Sequence, residues 1–302
     1  MNDLGYSIIG TIICFIIGYF VGSINWSIIL SKKIYNTDVR EYSSKNAGAT
    51  NTYRVLGPKI GVLVFFLDVS KVPFTIIMSF LFSLITTKTY ALFGGISYYI
   101  PAFGVIIGHC WPIWFKFKGG KAVSTFIGLT ICINIFYFLI FAFVWWSLYF
   151  IFKKVSFSSI IATIVIVLFC WLPWISGFDQ MPSFWLDLNN INWELNFSNF
   201  HQYSFALNYS QTCLDSWYIS NIILLLSGII LICKHHKNIN RLLDGEEKKF
   251  YFSKTDGDLE VKNCKNDNKT EEPINENVVK KIKKRLLKNN LFLILINEIS
   301  II

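Results

Sequence analysis

Residues 43–54, Ser-Ser-Lys-Asn-Ala-Gly-Ala-Thr-Asn-Thr-Tyr-Arg, crowd hydroxyl and amide side chains between two long apolar runs and end on an arginine. Ser44, Asn46, Thr50 and Asn51 offer neutral donors and acceptors, Gly48 permits tight folding, and Arg54 can fork two N–H bonds onto one phosphate. That set suits a phosphate held at a bilayer surface. The same residues would also serve a plain capped helix start.

A second polar stretch, Lys118-Gly119-Gly120-Lys121, brings glycines whose backbone N–H groups can approach a ligand closely, followed by a full positive charge. A helix beginning just after Lys121 would add a favourable field for an anion. The pattern GxxxxGK[ST] is absent, so a nucleoside triphosphatase is not supported. The competing reading is a juxtamembrane turn with snorkelling lysines. Near the end of the apolar region, His235 and Asn238 are three apart and share a face on a helix. His235 can donate to a phosphate or act as an acid or base, and a structural role competes with both. His109, in Gly108-His109-Cys110-Trp111-Pro112, is a substrate-binding candidate with the same ambiguity. Asp68 and Lys71 fall inside an apolar run, where charges are costly, and their spacing predicts one intrahelical ion pair.

The elements that must position these groups are apolar. Hydrophobic residues make up 53% of the 302 and charged residues only 16%, with a mean hydropathy of +0.47, which excludes an ordinary soluble domain. A membrane crossing takes about 20 apolar residues. Candidates are 4–30, 59–85, 91–108, 123–152 (long enough to turn near Asn134), 158–175 and 217–233. The first lacks a basic leader and is too long for a signal peptide, so it reads as an uncleaved span.

Lysine and arginine set the orientation. Residues 31–59 carry six, 109–122 three, 153–154 two, and the tail from Lys234 fifteen, whereas 176–216 carries none and four acids. The positive-inside rule then puts the N-terminus outside, the 176–216 loop outside and the C-terminus in the cytoplasm. The expectation is an all-α integral membrane protein with about seven transmembrane helices or half-helices. Its polar segments gather at the cytoplasmic face. Residues 1–249 form the membrane domain and 250–302 a polar, basic tail.

The net charge of +9 is concentrated beside apolar helices, which reads as a topology signal rather than a nucleic-acid footprint. Seven scattered cysteines show no zinc or disulfide spacing and read as small buried hydrophobes, so no metal is expected.

Taken together, Gly22-Ser23-Ile24-Asn25, Ser43–Arg54, Gly108–Pro112 with Phe117–Thr125, Val155–Ile160 and His235–Gly245 resemble, in order, the motifs of the bacterial acyl-phosphate:glycerol-3-phosphate acyltransferases, the PlsY family. The resemblance covers residues 5–248. It implies a multi-pass enzyme of the bacterial plasma membrane, binding no nucleic acid and needing no metal, nucleotide or other cofactor. The enzyme would move a fatty acyl group from acyl phosphate to the 1-hydroxyl of glycerol 3-phosphate, giving lysophosphatidic acid and phosphate. It further implies a monomer, served by the soluble enzyme that makes acyl phosphate. Carried over, the catalytic residues are Ser44, Arg54, Lys121, His235 and Asn238. Asn46, Thr50, Asn51, Gly119, Gly120 and His109 join them in substrate binding.

The sequence departs from the family pattern at four places. Asn25 replaces a proline; Ser43, Lys45 and Ala122 replace glycines. If the backbone at Lys45 has positive φ, lysine costs energy there.

Two other function classes compete. A transporter of phosphate esters or other small anions would use similar loops but expects inverted repeats and polar groups near the midplane; no such repeat is evident, and the polar segments crowd one face instead. A non-catalytic family member is the other. An acyltransferase of the His-x4-Asp type is excluded, because none of the four histidines has Asp five positions later.

Overall fold

The computed structural model describes residues 3–90, 96–172 and 217–252, all of which fall in one unit, Met1–Asp258. The loop at 176–216 and the tail from 253 lie outside the described residues, as do Cys213 and Cys264. Every regular element among the described residues is helical.

The chain runs through α1 (Asp3–Ser23), α2 (Trp26–Tyr35), α3 (Ala49–Leu56), α4 (Pro58–Tyr90) and α5 (Tyr99–Cys110). It continues through α6 (Val123–Ile133), α7 (Ile135–Phe152), α8 (Val155–Phe169), α9 (Trp217–Lys234) and α10 (His236–Leu243). Local chemistry explains the breaks. Asn25 caps α2, its side chain accepting from the Ile28 N–H, so the residue standing where the family has proline still starts a helix. Pro58 opens α4, where its missing N–H is not needed. Asn134 ends α6 in an extended conformation and caps α7 by accepting from Phe136, producing the turn expected near that residue.

Among the described residues, three stretches are long and apolar enough to cross a membrane: Gly5–Tyr35, Pro58–Ser83 and Ile135–Phe152. A fourth arises if α9 and α10, bent by 57°, count as one broken span. The remaining apolar helices are shorter. The 11 residues of α6 rise about 16 Å, roughly half the hydrocarbon thickness.

Helix α1 packs most closely on α5. Gly18 and Gly22 on α1 meet the backbone of Pro101 and Val105, and Gly104 and Gly108 on α5 meet the backbone of Phe15 and Tyr19. Two small residues four apart on each helix let the backbones touch, the usual device for helix association in lipid. The main core joins α4, α5, α6, α7, α8 and α9 through buried Val72, Tyr99, Phe126, Phe141, Ile166 and Leu224. Outward-facing Phe143, Phe150 and Ile151 leave α7 apolar on its exposed side. Cys14, Cys110, Cys132 and Cys170 are buried as expected, whereas Cys233 is exposed.

Candidate active site

The segment between α2 and α3 is built around Asn51. Its side chain is buried, its Nδ2 donates to the carbonyls of Val39 (2.8 Å) and Tyr42 (3.3 Å), and its Oδ1 accepts from the backbone N–H and the hydroxyl of Ser44. Asn51 therefore shapes the loop and holds Ser44 in place. Next to it Thr52 shares a 2.6 Å hydrogen bond with Ser27, tying α3 to α2.

Ser43, Lys45 and Ala122 have φ of 50°, 54° and 64°. These are the three positions where the family pattern carries glycine, so the loops keep a glycine backbone with other side chains on it. Left-handed backbone at a residue with a Cβ costs about 1–2 kcal/mol.

Asp38 and Arg40 join this loop to the next. Asp38 accepts from Arg40 Nη2 at 2.7 Å, and Arg40 Nη1 donates to the carbonyls of Phe115 and Lys118. The bond from Arg40, against the opposing effect of burial, holds the Asp38 carboxyl below its ordinary range.

The glycines of Lys118–Lys121 have a different use from the one their spacing suggested. The N–H groups of Gly119 and Gly120 donate to the carbonyls of Cys110 and His109. A Cβ at Gly120 would strike the His109 ring and the Ala47 carbonyl, and one at Gly119 would strike the His109 carbonyl and Pro112. They let the loop lie flat on the end of α5, which carries Lys121 forward to the start of α6. Beneath them, buried Asp68 and Lys71 form the predicted intrahelical pair at 2.7 Å, and Lys71 also donates to the Gly22 carbonyl. His109 Nδ1 sits 3.7 Å from Asp68 Oδ1.

Lys121 donates to Asn238 Oδ1 at 2.6 Å, and Asn238 Nδ2 donates to Ser156 Oγ and to Glu247 Oε1, both at 2.7 Å. Glu247 also receives Arg241 Nε at 3.0 Å. Burial pushes the Lys121 ammonium down to about 8, with Glu247 opposing and Arg241, Arg54 and Lys234 reinforcing the shift. For Glu247, burial acts upward, but hydrogen bonds from Ser156 and Asn238 and the Arg241 charge outweigh it, so its carboxyl stays below the ordinary range. His235, at the bend between α9 and α10, places Nδ1 at 2.8 Å from the Leu231 carbonyl. A carbonyl only accepts, so Nδ1 carries the proton and Nε2 is the acceptor of the neutral ring.

These groups surround one cavity of about 710 Å³. Ser44, Asn46, Thr50, Asn51, Arg54, His109, Lys121, His235 and Asn238 all line it. Gly119 and Gly120 do not; they act through the loop they fold. Val62, Phe65, Phe66, Ile127, Phe138 and Phe141 supply an apolar part of the lining. The cavity thus combines a cationic, hydrogen-bonding region with a region suited to an alkyl chain.

A family model described as glycerol-3-phosphate acyltransferase matches residues 12–245. The chain belongs to the glycerol-3-phosphate acyltransferase family. A family member from Mycoplasma mycoides is 43% identical over 245 residues, spanning 79% of this chain and 92% of that relative. Another from Mesoplasma florum is 42% identical over 254 residues, spanning 82% and 97%. Among solved structures, PlsY, an integral membrane glycerol 3-phosphate acyltransferase in its glycerol 3-phosphate form, is 28% identical with a TM-score of 0.56, covering 80% of this chain and 96% of that one. Its lysophosphatidic acid form gives 27% and 0.53, covering 83% of this chain and 97% of that one.

Sequence reasoning gave no site role to Ser156 and Arg241, although both stand in its polar segments, and passed over Glu247 and Phe250; all four line the same cavity. A signal for Glu247 existed. Glu246 and Glu247 stand between Lys237 and Arg241 on one side and Lys248 and Lys249 on the other, and a buried cluster of cations needs a counter-charge.

Proposed function

We propose that this chain transfers a fatty acyl group from acyl phosphate to the 1-hydroxyl of glycerol 3-phosphate, releasing lysophosphatidic acid and inorganic phosphate. The observation that carries this reading is the cavity in which Arg54, Lys121, His235 and Asn238 meet an apolar lining. Family membership supports the acceptor. Glycerol 3-phosphate, the compound with which the related PlsY was solved, has the charge and size to suit the cationic region.

The acceptor hydroxyl oxygen attacks the carbonyl carbon of acyl phosphate, forming the ester bond. The bond from that carbon to the phosphate oxygen breaks, and the departing phosphate takes the hydroxyl proton. No side chain need act as base, because the leaving group supplies one and the donor is already activated. Arg54 and Lys121 relieve repulsion between two anionic substrates and stabilise charge on the acyl oxygen and leaving phosphate. Asn238, held by Ser156 and Glu247, fixes Lys121. Ser44, Asn46 and Thr50 form the neutral wall of the phosphate site, with Asn51 holding Ser44 in place, His235 Nε2 placed to accept from a substrate hydroxyl, His109 as a further polar group of the lining, and Gly119 and Gly120 setting the loop. Proximity supplies much of the remaining acceleration.

The protein works in this reading as a monomer of about seven transmembrane helices or half-helices in the bacterial plasma membrane, with the cavity open to the cytoplasm. It receives acyl phosphate made by a soluble enzyme. Replacing Arg54 by Ala in membranes carrying the full chain tests the phosphate site. Loss of at least a hundredfold in turnover of acyl phosphate, on the order of 3 kcal/mol, is expected. Unchanged turnover would remove the role given to Arg54.

A further inference from the structure

We propose that Phe250 is a positioning residue for Arg54, and that the strap of residues 246–252 sets the cavity's affinity for a phosphate group. This rests on the acyltransferase reading above. After Gly245, whose φ of 75° turns the chain, the strap leaves α10 and doubles back over the cavity. Its start is fixed by the N–H groups of Glu246 and Glu247, which both donate to the Arg241 carbonyl. Further along, the Phe250 N–H donates to the Lys153 carbonyl at 2.8 Å, and its own carbonyl accepts from the Tyr149 hydroxyl at 3.0 Å. Both main-chain groups of one residue are therefore tied to α7 and the residue that ends it, which fixes the ring between them. Phe250 as a whole is 4% exposed.

The Arg54 guanidinium lies over the Phe250 ring, 5.4 Å from its centroid, and Tyr53 meets the same ring edge-on at 5.1 Å. A ring beneath a guanidinium attracts the cation and helps hold it in place without offering it a competing anionic acceptor. A carboxylate in the same place would compete with a phosphate for the N–H donors. An aromatic anchor suits an arginine that must be held still and yet bind an anion. The strap also carries Glu247, which holds Asn238 and through it Lys121. One short segment thus orders both cations of the site, Arg54 by its ring and Lys121 by its carboxylate.

The test uses the full chain in lipid vesicles, with acyl phosphate and glycerol 3-phosphate varied separately. Phe250→Met and Phe250→Leu keep apolar volume without a ring, and Phe250→Tyr keeps the ring. We expect Met and Leu to raise KM for one phosphate substrate about three- to thirtyfold, with kcat within about threefold, and Tyr to restore KM. In an Arg54→Lys background, Phe250→Met should add less than about twofold. Wild-type KM values in the Met variant, or a full further loss in the Arg54→Lys background, would overturn the positioning role alone. So would failure of both ringless variants to fold, which would leave Phe250 a purely stabilising residue. An inactive parent chain would overturn the acyltransferase reading itself, and this inference with it.

Discussion

Lys121 Nζ lies 2.6 Å from Asn238 Oδ1, a bond between residues 117 positions apart that joins the loop before α6 to α10. It brings together the charge of one polar segment and the amide of another. Asn238 in turn is held by Ser156 and Glu247, so the ammonium has a fixed address.

Removing that amide should misplace the lysine without removing its charge. Asn238→Ala is expected to lower kcat/KM about ten- to a hundredfold, equivalent to about 1.4–2.7 kcal/mol. Steady-state kinetics on purified protein checks it. A variant with wild-type kinetics would show that Lys121 needs no anchor.

The Lys121 ammonium, brought down to about 8 by burial, makes binding pH-dependent. A bound anion favours the charged form. Below pH 8 the lysine already carries its proton, so affinity is flat with respect to this group. Above pH 8, binding must also take up a proton, so KM for the phosphate substrate in contact should rise by up to about tenfold per pH unit. A Lys121→Arg protein, if active, should lose that rise, since arginine stays charged throughout. Flat KM from about pH 7 to about pH 9.5 in the parent would contradict the assignment.

The close fit of the Gly120 backbone on His109 and Ala47 gives another expectation. Gly120→Ala should push the loop away and carry Lys121 with it, lowering turnover about a hundredfold, the usual cost of a misplacement of about 1 Å. The measurement is turnover per folded protein, with folding followed by thermal unfolding. Full activity would mean that the loop gives way without moving Lys121.

Two of the left-handed positions should respond differently to glycine. Lys45 is exposed, so Lys45→Gly relieves backbone strain and should stabilise the protein by about 0.5–1 kcal/mol after allowing for glycine's greater freedom when unfolded. The Ala122 methyl is buried beside Ile106 and Cys110, so Ala122→Gly loses packing that offsets the gain and should be near neutral. Thermal unfolding of both variants in the same detergent checks the contrast.

The turn at Asn134 was legible because one apolar run was too long for a single crossing, whereas at Lys45 a lysine in a glycine position only raised the question that its φ of 54° answers. Asp68 and Lys71 declared their pairing by their spacing alone. Local signals of that kind survive in a sequence. The work of Gly119 and Gly120 was not legible, because their partners on α5 are reached only by folding, and a free N–H and a bonded one look alike in sequence. Phe250 was hidden for a similar reason. It stands where the composition turns polar, and its bond to the Tyr149 hydroxyl spans 101 residues. Helix α6 has only 11 residues, so counting crossings from hydropathy could not separate whole spans from half-spans.

Acyl transfer from acyl phosphate to glycerol 3-phosphate, at the cavity holding Arg54 and Lys121, can be followed from both products at once. The purified full chain, in lipid vesicles, is supplied with labelled glycerol 3-phosphate and acyl phosphate, and lysophosphatidic acid and inorganic phosphate are measured together. Equimolar formation of the two is expected without acyl-CoA, and Arg54→Ala should abolish it. Product that forms only with acyl-CoA, or labelled glycerol 3-phosphate that crosses the vesicle wall unacylated, would contradict it.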